Sequence, residues 1–599
     1  MNILAISDSH TSAASILRDG KIVSAVAEER VTRLKGDIGY PKQAIECALE
    51  AAGLAVNDID KVVFSGKTLP GHYTVVKRDA LYSVQDWVDE QHRYWKPRLL
   101  EGKQVQYHAA MSEKFEHDYA GHYQYSAFLD VDGNYDEAKG LKERARVASK
   151  HLGLPEEKIE FVSHEGSHAH YAYFASPYRE DALVFTIDSM GDFSNNSVSI
   201  VRDGTIEMVA HSKESHLGHL CKNITLLLGL KPNQHEYKVM GLAPYASQPE
   251  VDKTYKVIKD IQKVEGNVFK EYKKPSDLYF SLSKAFEGHR FDGIAGALQR
   301  VVSEQIAEWV DSCVKQYGIH TVCIAGGLAQ NIKACMDVVK LRSVNKFFVG
   351  PISGDGSLCM GAAYLAYAEE LKKNKKDINS SIQGLQHAYL GPEYGRSRIN
   401  QALEQLHHDD AYEIIEEPGT RWLAQQLVDG GIIGRFSGRM EFGQRALGNR
   451  SILANPSSAE VVQHINTKIK FRDFWMPFTP SILEEEIDEY IDNNKGVNCR
   501  FMAIAFESKE KAKVNLKGAM HPADFTVRPQ AVTKREAGSY HALISEFFNL
   551  TGIPALLNTS FNLHGEPIVC TPEDAVSSFI RCEMDVLAFD HVAVKRKRR

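Results

Sequence analysis

The chain of 599 residues is 43% hydrophobic and 25% charged, an ordinary globular composition long enough for two to four domains. Its 71 Lys and Arg against 78 Asp and Glu leave a net charge of −7, and the one basic tract is the terminal KRKRR, so nucleic acid is not expected as a main partner. Nine cysteines without a CxxC pair exclude a zinc ribbon and a disulfide framework. No apolar run approaches the roughly 20 residues needed to cross a bilayer, and the opening MNILAISDSH has no leader pattern; a cytoplasmic protein without membrane contact is expected.

The first predicted element is the strand LAISDS, reaching Asp8, followed by a hairpin over Ile16 to Glu29 in which Asp-Gly supplies the tight turn. The same order returns in LVFTIDS, reaching Asp188, and in the hairpin from Ser199 to Ser212, again through Arg-Asp-Gly. Strand, acidic loop and hairpin repeated once resemble the duplicated halves of the fold shared by actin, sugar kinases and chaperone ATPases; two unrelated Asp-Gly hairpins are the plainer alternative. His10 follows Asp8 at the tip of the first loop. A near-neutral imidazole there suits removal of a proton from an incoming hydroxyl, which makes Asp8 and His10 the catalytic candidates, against the alternative of a hydrogen-bonded loop histidine.

A helix is predicted over Pro41 to Gly53, and the stretch from Lys67 to Tyr125, rich in Tyr, His, Trp and charge, reads as an insertion that shapes an acceptor site or serves as a lid or oligomer contact. In SHEGSHAHYAYFAS, His164 and His168 stand four apart, which on a helix stacks both imidazoles on one face. The pair alone is weak; with Asp188 and with Asp355 in the loop SGDGS it becomes a ligand set suited to a divalent transition metal, iron, manganese or zinc. EYKVMGLAPYA places Lys238 before a Gly-Leu-Ala-Pro turn, as a nucleotide contact or an ordinary surface turn.

Further on come a helix from Ile294 to Tyr317, the strand TVCIAGG, a helix from Gln330, the strand KFFVGP and the helix LCMGAAYLAYAEEL. The loops AGGLAQN, with Gly326, Gly327 and Asn331, and GPISGDGS, with Gly354, each sit where a strand gives way to a helix, where exposed N–H groups and the helix dipole favour a nucleotide phosphate. The polar run from Lys372 to Gly384 lacks an apolar face and is the linker candidate, giving a first domain over 1–385 and a second over 386–599.

The second domain carries the densest chemistry. RFSGRMEFGQRALGNRS sets Arg435, Arg439, Arg445 and Arg450 among glycines, and Lys470 and Arg472 follow in IKFRDFW. Guanidinium forks match phosphate oxygens bidentately, and the interleaved Phe442, Ala446, Leu447 and Ile452 argue against a merely solvated basic face. Arg528 in HPADFTVRPQAV and Asn558, Thr559, Ser560 and Asn562 in LLNTSFNLHGEP extend the anion-binding set.

Taken in order, HTSAA, EERVTR, the HxxxH pair, EYKVMGLAPY, GRMEFGQRALGNRS, RPQ and LLNTSFNLHGEPIV resemble the NodU and TobZ type of O-carbamoyltransferase over nearly the whole chain. The resemblance implies an α/β chain with a duplicated actin-like (ASKHA) domain followed by a YrdC-like α/β domain. It also implies ATP-dependent O-carbamoyl transfer, in which carbamoyl phosphate and ATP give carbamoyl-adenylate and pyrophosphate, and the carbamoyl group then passes to a hydroxyl of a small secondary metabolite. Carried over residue by residue, His164, His168, Asp188 and Asp355 hold the metal, His10 is the candidate base, and Lys470, Arg472, Ser560 and Asn562 form the anion set of YrdC-like domains, with Arg439, Arg445, Arg450, Arg528 and Asn558 beside them. Fe2+ is the first choice of metal, with Mn2+ or Zn2+ as alternatives, and Mg2+ accompanies ATP; a homodimer is left open. Three positions depart from the family pattern: Thr11 replaces an aspartate, Met476 an arginine, and HPADFT stands for HVDGT. Two other readings compete, a tRNA threonylcarbamoyl-type enzyme, which calls for a basic surface, and an actin-like-fold sugar or metabolite kinase, which leaves the arginine cluster unemployed.

Overall fold

Asp19 and Gly20 sit at positive φ, 48° and 81°, and Asp203 and Gly204 repeat the pair at 48° and 73°. Paired left-handed residues make the tight turn whose twist matches antiparallel strands, and Asp and Gly tolerate it best. Each turn joins a hairpin: β2 (Ala13–Arg18) to β3 (Lys21–Ala27), and β7 (Asn196–Arg202) to β8 (Thr205–Ser212). In both, the register slips once, between Ile16 and Leu17 and between Val198 and Ser199.

The repeat extends to whole sheets. β1 (Asn2–Ser7) pairs antiparallel with β2 and parallel with β4 (Lys61–Ser65), which pairs parallel with β5 (Ile159–Val162), giving the order β3-β2-β1-β4-β5. β6 (Ala182–Ile187) pairs antiparallel with β7; the hairpin β9 (Gln262–Glu265) and β10 (Val268–Glu271) stands apart; β11 (Thr321–Ala325) and β12 (Lys346–Val349) then add in parallel, giving β12-β11-β6-β7-β8. Two five-stranded sheets with identical order and sense are the duplicated actin-like architecture. The central strands are buried almost throughout, as strands covered on both faces must be.

The structure, a computed structural model, describes residues 1–69, 76–115, 123–131 and 133–597. It separates into two compact units, Met1–Leu385 and Gln386–Arg599. The polar run expected to be a free linker is anchored on the first unit. A short helix, Ile378–Ser381, lies over both Asp-Gly turns: a Cβ on Gly20 would stand 2.0 Å from the Ser381 carbonyl oxygen, and one on Gly204 2.7 Å from Asn379 Oδ1. Gln383 N–H donates to the Gly20 carbonyl at 3.0 Å. Polar residues that bond to backbone leave no hydrophobic pattern, which is why the run reads as a tether in the sequence.

The connection from β4 to β5 is longer than the expected insertion. Its described parts include the helices Arg78–Leu81, Val84–Glu90 and Tyr107–Ala110 and a long helix, Glu137–Leu152, beyond Tyr125. Residues 70–75 and 116–122 of the expected insertion lie outside the described residues. Tyr82, Trp87, Tyr94 and Tyr107 form a satellite core there with Leu226, so the aromatic content is spent on packing.

The second unit holds β13 (Tyr412–Glu416), β14 (Ile433–Phe436), β15 (Arg450–Ala454), β16 (Thr479–Leu483), β17 (Gln530–Val532), β18 (Ala555–Ser560), β19 (Val586–Ala588) and β20 (Val592–Arg596). They form one mixed sheet ordered β13-β20-β19-β14-β15-β18-β16-β17. Among the described residues no helix is long and apolar enough to cross a membrane.

Candidate active site

The helix His164–Phe174 begins at Ser163, whose Oγ accepts from the Gly166 N–H at 3.0 Å, a standard N-cap. Asp192 fixes the same end, accepting from the backbone N–H groups of His164 and Thr68 at 2.8 Å each. The helix Leu358–Lys373 crosses close by, since a Cβ on Gly361 would lie 1.9 Å from the Ser167 carbonyl oxygen. That close approach brings the His164 and His168 face toward the loop carrying Asp355.

Four side chains from distant parts of the chain meet there. His168 Nε2 is 3.0 Å from Asp188 Oδ2 and 3.6 Å from Asp355 Oδ1, and His164 Nε2 is 3.7 and 4.0 Å from the same two oxygens. All four ligand atoms lie within 4.8 Å of one another. His168 is wholly buried, yet neither of its ring nitrogens has a hydrogen-bond partner, and His164 Nε2 has none. Buried polar nitrogens converging on two carboxylates without bonding to them fit a cation at the centre, and two imidazoles with two carboxylate oxygens suit a divalent transition ion. Ser9 Oγ donates to Asp355 Oδ2 at 3.1 Å and the Gly327 N–H donates to Asp188 Oδ1, so both carboxylates are oriented by a neighbour.

Gly326, Gly327 and Gly354 come together around this cluster. Gly326 has φ 104°, and a Cβ there would stand 2.3 Å from the Ile187 carbonyl oxygen; one on Gly354 would stand 1.9 Å from Gln330 Nε2. Not all of their N–H groups face a ligand, because Gly326 donates to the Ser353 carbonyl and Gly327 to Asp188. Asn331 is a helix cap: its Oδ1 accepts from Lys333 and Ala334, and its amide exchanges two hydrogen bonds with Gln299. Its oxygen is thus committed to the cap, while its Nδ2 donates one of its two N–H groups to Gln299. Lys238 lies half-buried in the helix Glu236–Leu242.

Asp8 is likewise committed. It is fully buried, bonded bidentately by Arg144 at 2.7 and 2.8 Å and by the Tyr123 hydroxyl at 2.6 Å. With both oxygens accepting from a buried guanidinium and one from a phenol, Asp8 holds the first loop in place. His10 instead bonds through Nδ1 to Asp79 of the connection between β4 and β5. Asp79, Arg144 and Tyr123 carry no recognisable motif, and only the fold brings them to residues 8 and 10. The preceding expectation that Thr11 marks a departure acquires a conformational side: Thr11 has φ 56°, costly for a β-branched residue.

In the second unit the arginines divide by role. Arg450 is fully buried, stacks 3.6 Å over Phe436 and donates to the carbonyls of Ser437, Gly438 and Asn449. Both terminal nitrogens are occupied by backbone carbonyls, and its Nε is buried without a partner. Arg435 donates to the Gly448 carbonyl, Asn449 Oδ1 and Ser539 Oγ, and Arg439 donates to the Leu390 and Gly391 carbonyls. Asn558 donates to the Ala446 carbonyl at 3.1 Å and Gln530 to the Leu447 carbonyl at 2.7 Å, so Asn558 holds the arginine loop.

Arg445, Arg472 and Arg528 are different. Arg528 is half-buried, its Nε is enclosed without a partner, and burial together with the charges of Arg445 and Arg472 holds its pKa well below the ordinary value. Like charges gathered around a half-buried guanidinium are unfavourable until an anion arrives. Nearby in sequence, Lys470 Nζ donates to the Asn562 carbonyl at 2.8 Å, to Asn562 Oδ1 at 2.7 Å and to Ser560, and Ser560 Oγ donates to Asn562 Oδ1 at 2.6 Å. The Lys, Ser and Asn expected together are together.

Residues 2–364 match the family described as carbamoyltransferase N-terminus, and residues 424–596 that described as carbamoyltransferase C-terminus. An uncharacterized protein of Synechocystis is 30% identical over 98% of this chain and 95% of its own length. The nodulation protein NolNO of Sinorhizobium fredii is 29% identical, covering 98% of this chain and 79% of its own length, and NolO of Bradyrhizobium diazoefficiens is 30% identical over 73% and 79%. Among solved structures, component A of the Acidaminococcus fermentans (R)-2-hydroxyglutaryl-CoA dehydratase is 17% identical over 61% of this chain and 97% of that one, with a TM-score of 0.31. The architecture of the first unit rests on its own strand order.

Proposed function

The chain belongs to the carbamoyltransferase family, and from that premise we propose that it is an ATP-dependent O-carbamoyltransferase: water cleaves carbamoyl phosphate to carbamate and inorganic phosphate, a carbamate oxygen displaces pyrophosphate from the α-phosphorus of ATP to give carbamoyl-adenylate, and the carbamoyl group then passes to a hydroxyl of a small-molecule acceptor. The observation that carries the proposal is the gathering of Arg445, Arg472 and Arg528, the last half-buried with its Nε enclosed and unpartnered. A phosphate dianion relieves that repulsion and accepts from planar forks, which makes this trio, with Lys470, Ser560 and Asn562 shaping the adjoining backbone, the carbamoyl phosphate pocket.

In the first unit, His164, His168, Asp188 and Asp355 would hold a divalent ion, Fe2+ first and Mn2+ or Zn2+ as alternatives. Such an ion, when bound, supplies a Lewis acid beside the transferring group. Gly326, Gly327 and Gly354, lacking side chains, let nucleotide phosphates with Mg2+ come close to that cluster, and Lys238 is the candidate cation. His10 accepts the proton of the acceptor hydroxyl as that oxygen bonds to the carbamoyl carbon. The carbon–oxygen bond to the adenylate then breaks, and its electron pair leaves on AMP. The same reading carries a cytoplasmic location with neither nucleic acid nor membrane as partner.

Incubation with ATP, carbamoyl phosphate and divalent metal is expected to release pyrophosphate and, with a mixture of candidate hydroxylated metabolites, to add one carbamoyl group detectable by mass spectrometry. Release of ADP without pyrophosphate would instead assign the chain to phosphoryl transfer and remove the proposal.

A further inference from the structure

Asp79 opens the short helix Arg78–Leu81 in the connection from β4 to β5 and is 3% exposed. Its Oδ2 bonds His10 Nδ1, and its Oδ1 accepts from Asn233 Nδ2 at 2.8 Å. Asn233 is itself set in the left-handed region, φ 63°, by a tight loop before the helix Glu236–Leu242, and the neighbouring Gln234 amide donates to the Asp79 carbonyl. One carboxylate therefore ties the tip of the first loop to the connection and to residues 233–234, with each oxygen directed.

Resting on the reading of His10 as base, we propose that Asp79 is its positioning residue: it holds the Nδ1 proton, leaves Nε2 as the bare accepting nitrogen, and is itself oriented by Asn233. The acceptor's hydroxyl proton moves to Nε2, its oxygen bonds the carbamoyl carbon, and AMP departs with the electron pair of the broken carbon–oxygen bond. Asp79 stays ionised throughout and faces the imidazolium that forms. A carboxylate on the far nitrogen of a histidine base fixes both ring orientation and tautomer, the logic of hydrolytic triads on unrelated folds.

The surrounding charges agree with that geometry. Partial burial disfavours an imidazolium at His10, whose side chain is 44% exposed, but the charge and hydrogen bond of Asp79, joined by Asp355 from the loop after β12, outweigh it and Lys222 from the helix Leu217–Leu227, so the His10 pKa is raised and the imidazolium formed on proton transfer is favoured. Burial also opposes ionisation of Asp79, yet His10, Asn233 and Arg78 bring its pKa down to about 2.

The test uses the full chain labelled with [15N]histidine, the His10 signals being identified by their loss in H10Q. At a pH above the raised His10 pKa, where the ring is neutral, wild type is expected to show protonated Nδ1 and bare Nε2, Asp79→Glu to keep that tautomer, and Asp79→Asn to shift toward a mixture. With glycerol as the hydroxyl probe, D79N should lose roughly 100-fold in kcat for transfer, while pyrophosphate release and the KM for carbamoyl phosphate hold. Should D79N fail to fold, N233A, which frees the carboxylate without removing it, should shift the same resonances. A neutral wild-type ring whose proton sits on Nε2, or D79N indistinguishable from wild type in spectrum, overturns the inference. Absence of pyrophosphate release in wild type would sink the functional reading instead, and the imidazole spectrum would still decide on Asp79.

Discussion

His168 Nε2 stands 3.0 Å from Asp188 Oδ2 inside the first unit, and the ring has no hydrogen bond at either nitrogen. Each unsatisfied buried polar atom costs about 1–3 kcal/mol, so this arrangement is expected to be occupied in the working protein. Purified protein should carry about one divalent transition ion per chain by elemental analysis, and the H164A/H168A pair should carry none. Chelation should lower the melting temperature, since a ligand at about 100 times its Kd adds about 2.7 kcal/mol. A metal-free preparation whose melting is unmoved by added Fe2+, Mn2+ or Zn2+ would remove the metal centre.

The two strand–hairpin repeats and the HxxxH pair are legible in the chain because each follows from local periodicity: Asp-Gly at a turn, apolar strands, imidazoles one helical turn apart. The residues that escape notice act across sequence distance. Asp79 and Arg144 reach His10 and Asp8 from the β4–β5 connection, where neither spacing nor composition marks them. The arginine-rich stretch shows the converse. Its composition announces an anion site, but a guanidinium bonding backbone carbonyls, as at Arg450, looks the same in sequence as one awaiting phosphate, as at Arg528.

Arg528 also separates stability from function. With Arg445 and Arg472 nearby and burial lowering its pKa, its charge is unfavourable in the unliganded fold. R528M, similar in length and uncharged, is expected to stabilise the free protein by about 1 kcal/mol in urea denaturation while abolishing the protection that inorganic phosphate gives wild type. Loss of stability with phosphate protection intact would assign Arg528 to the fold and not to the anion pocket.

The Asp8–Arg144 pair behaves in the opposite manner. Both side chains are fully buried, and Arg144 also packs 5.1 and 4.9 Å from the rings of Phe64 and Phe161. Removing one partner strands the other, so R144A should cost about 3–5 kcal/mol and D8N a comparable amount, because its amide sets an N–H donor against a donor of the buried guanidinium. Equal and small losses in both variants, measured by chemical denaturation, would show that Asp8 is free for another role.

Glu28 links folding to pH with a sign opposite to that of an exposed carboxylate. It is 4% exposed and accepts from the backbone N–H groups of Gln43 and Ala44 at 3.2 and 2.6 Å. Burial outweighs those two bonds, and with Asp37 adding to it the pKa is pushed up to about 7 from an ordinary 4.5. Between those two values the folded chain keeps a proton that the unfolded chain has released. The stabilising contribution is therefore complete below about 4.5 and is lost as pH rises through 7. E28Q, which is neutral at every pH and retains a carbonyl acceptor, should gain about 1–3 kcal/mol on wild type between pH 5 and pH 8. Urea denaturation of both proteins at those two pH values decides it: a difference that stays flat, or that shrinks toward pH 8, would mean that Glu28 is ionised in the fold and that the N–H bonds at the start of the helix Lys42–Ala52 outweigh its burial.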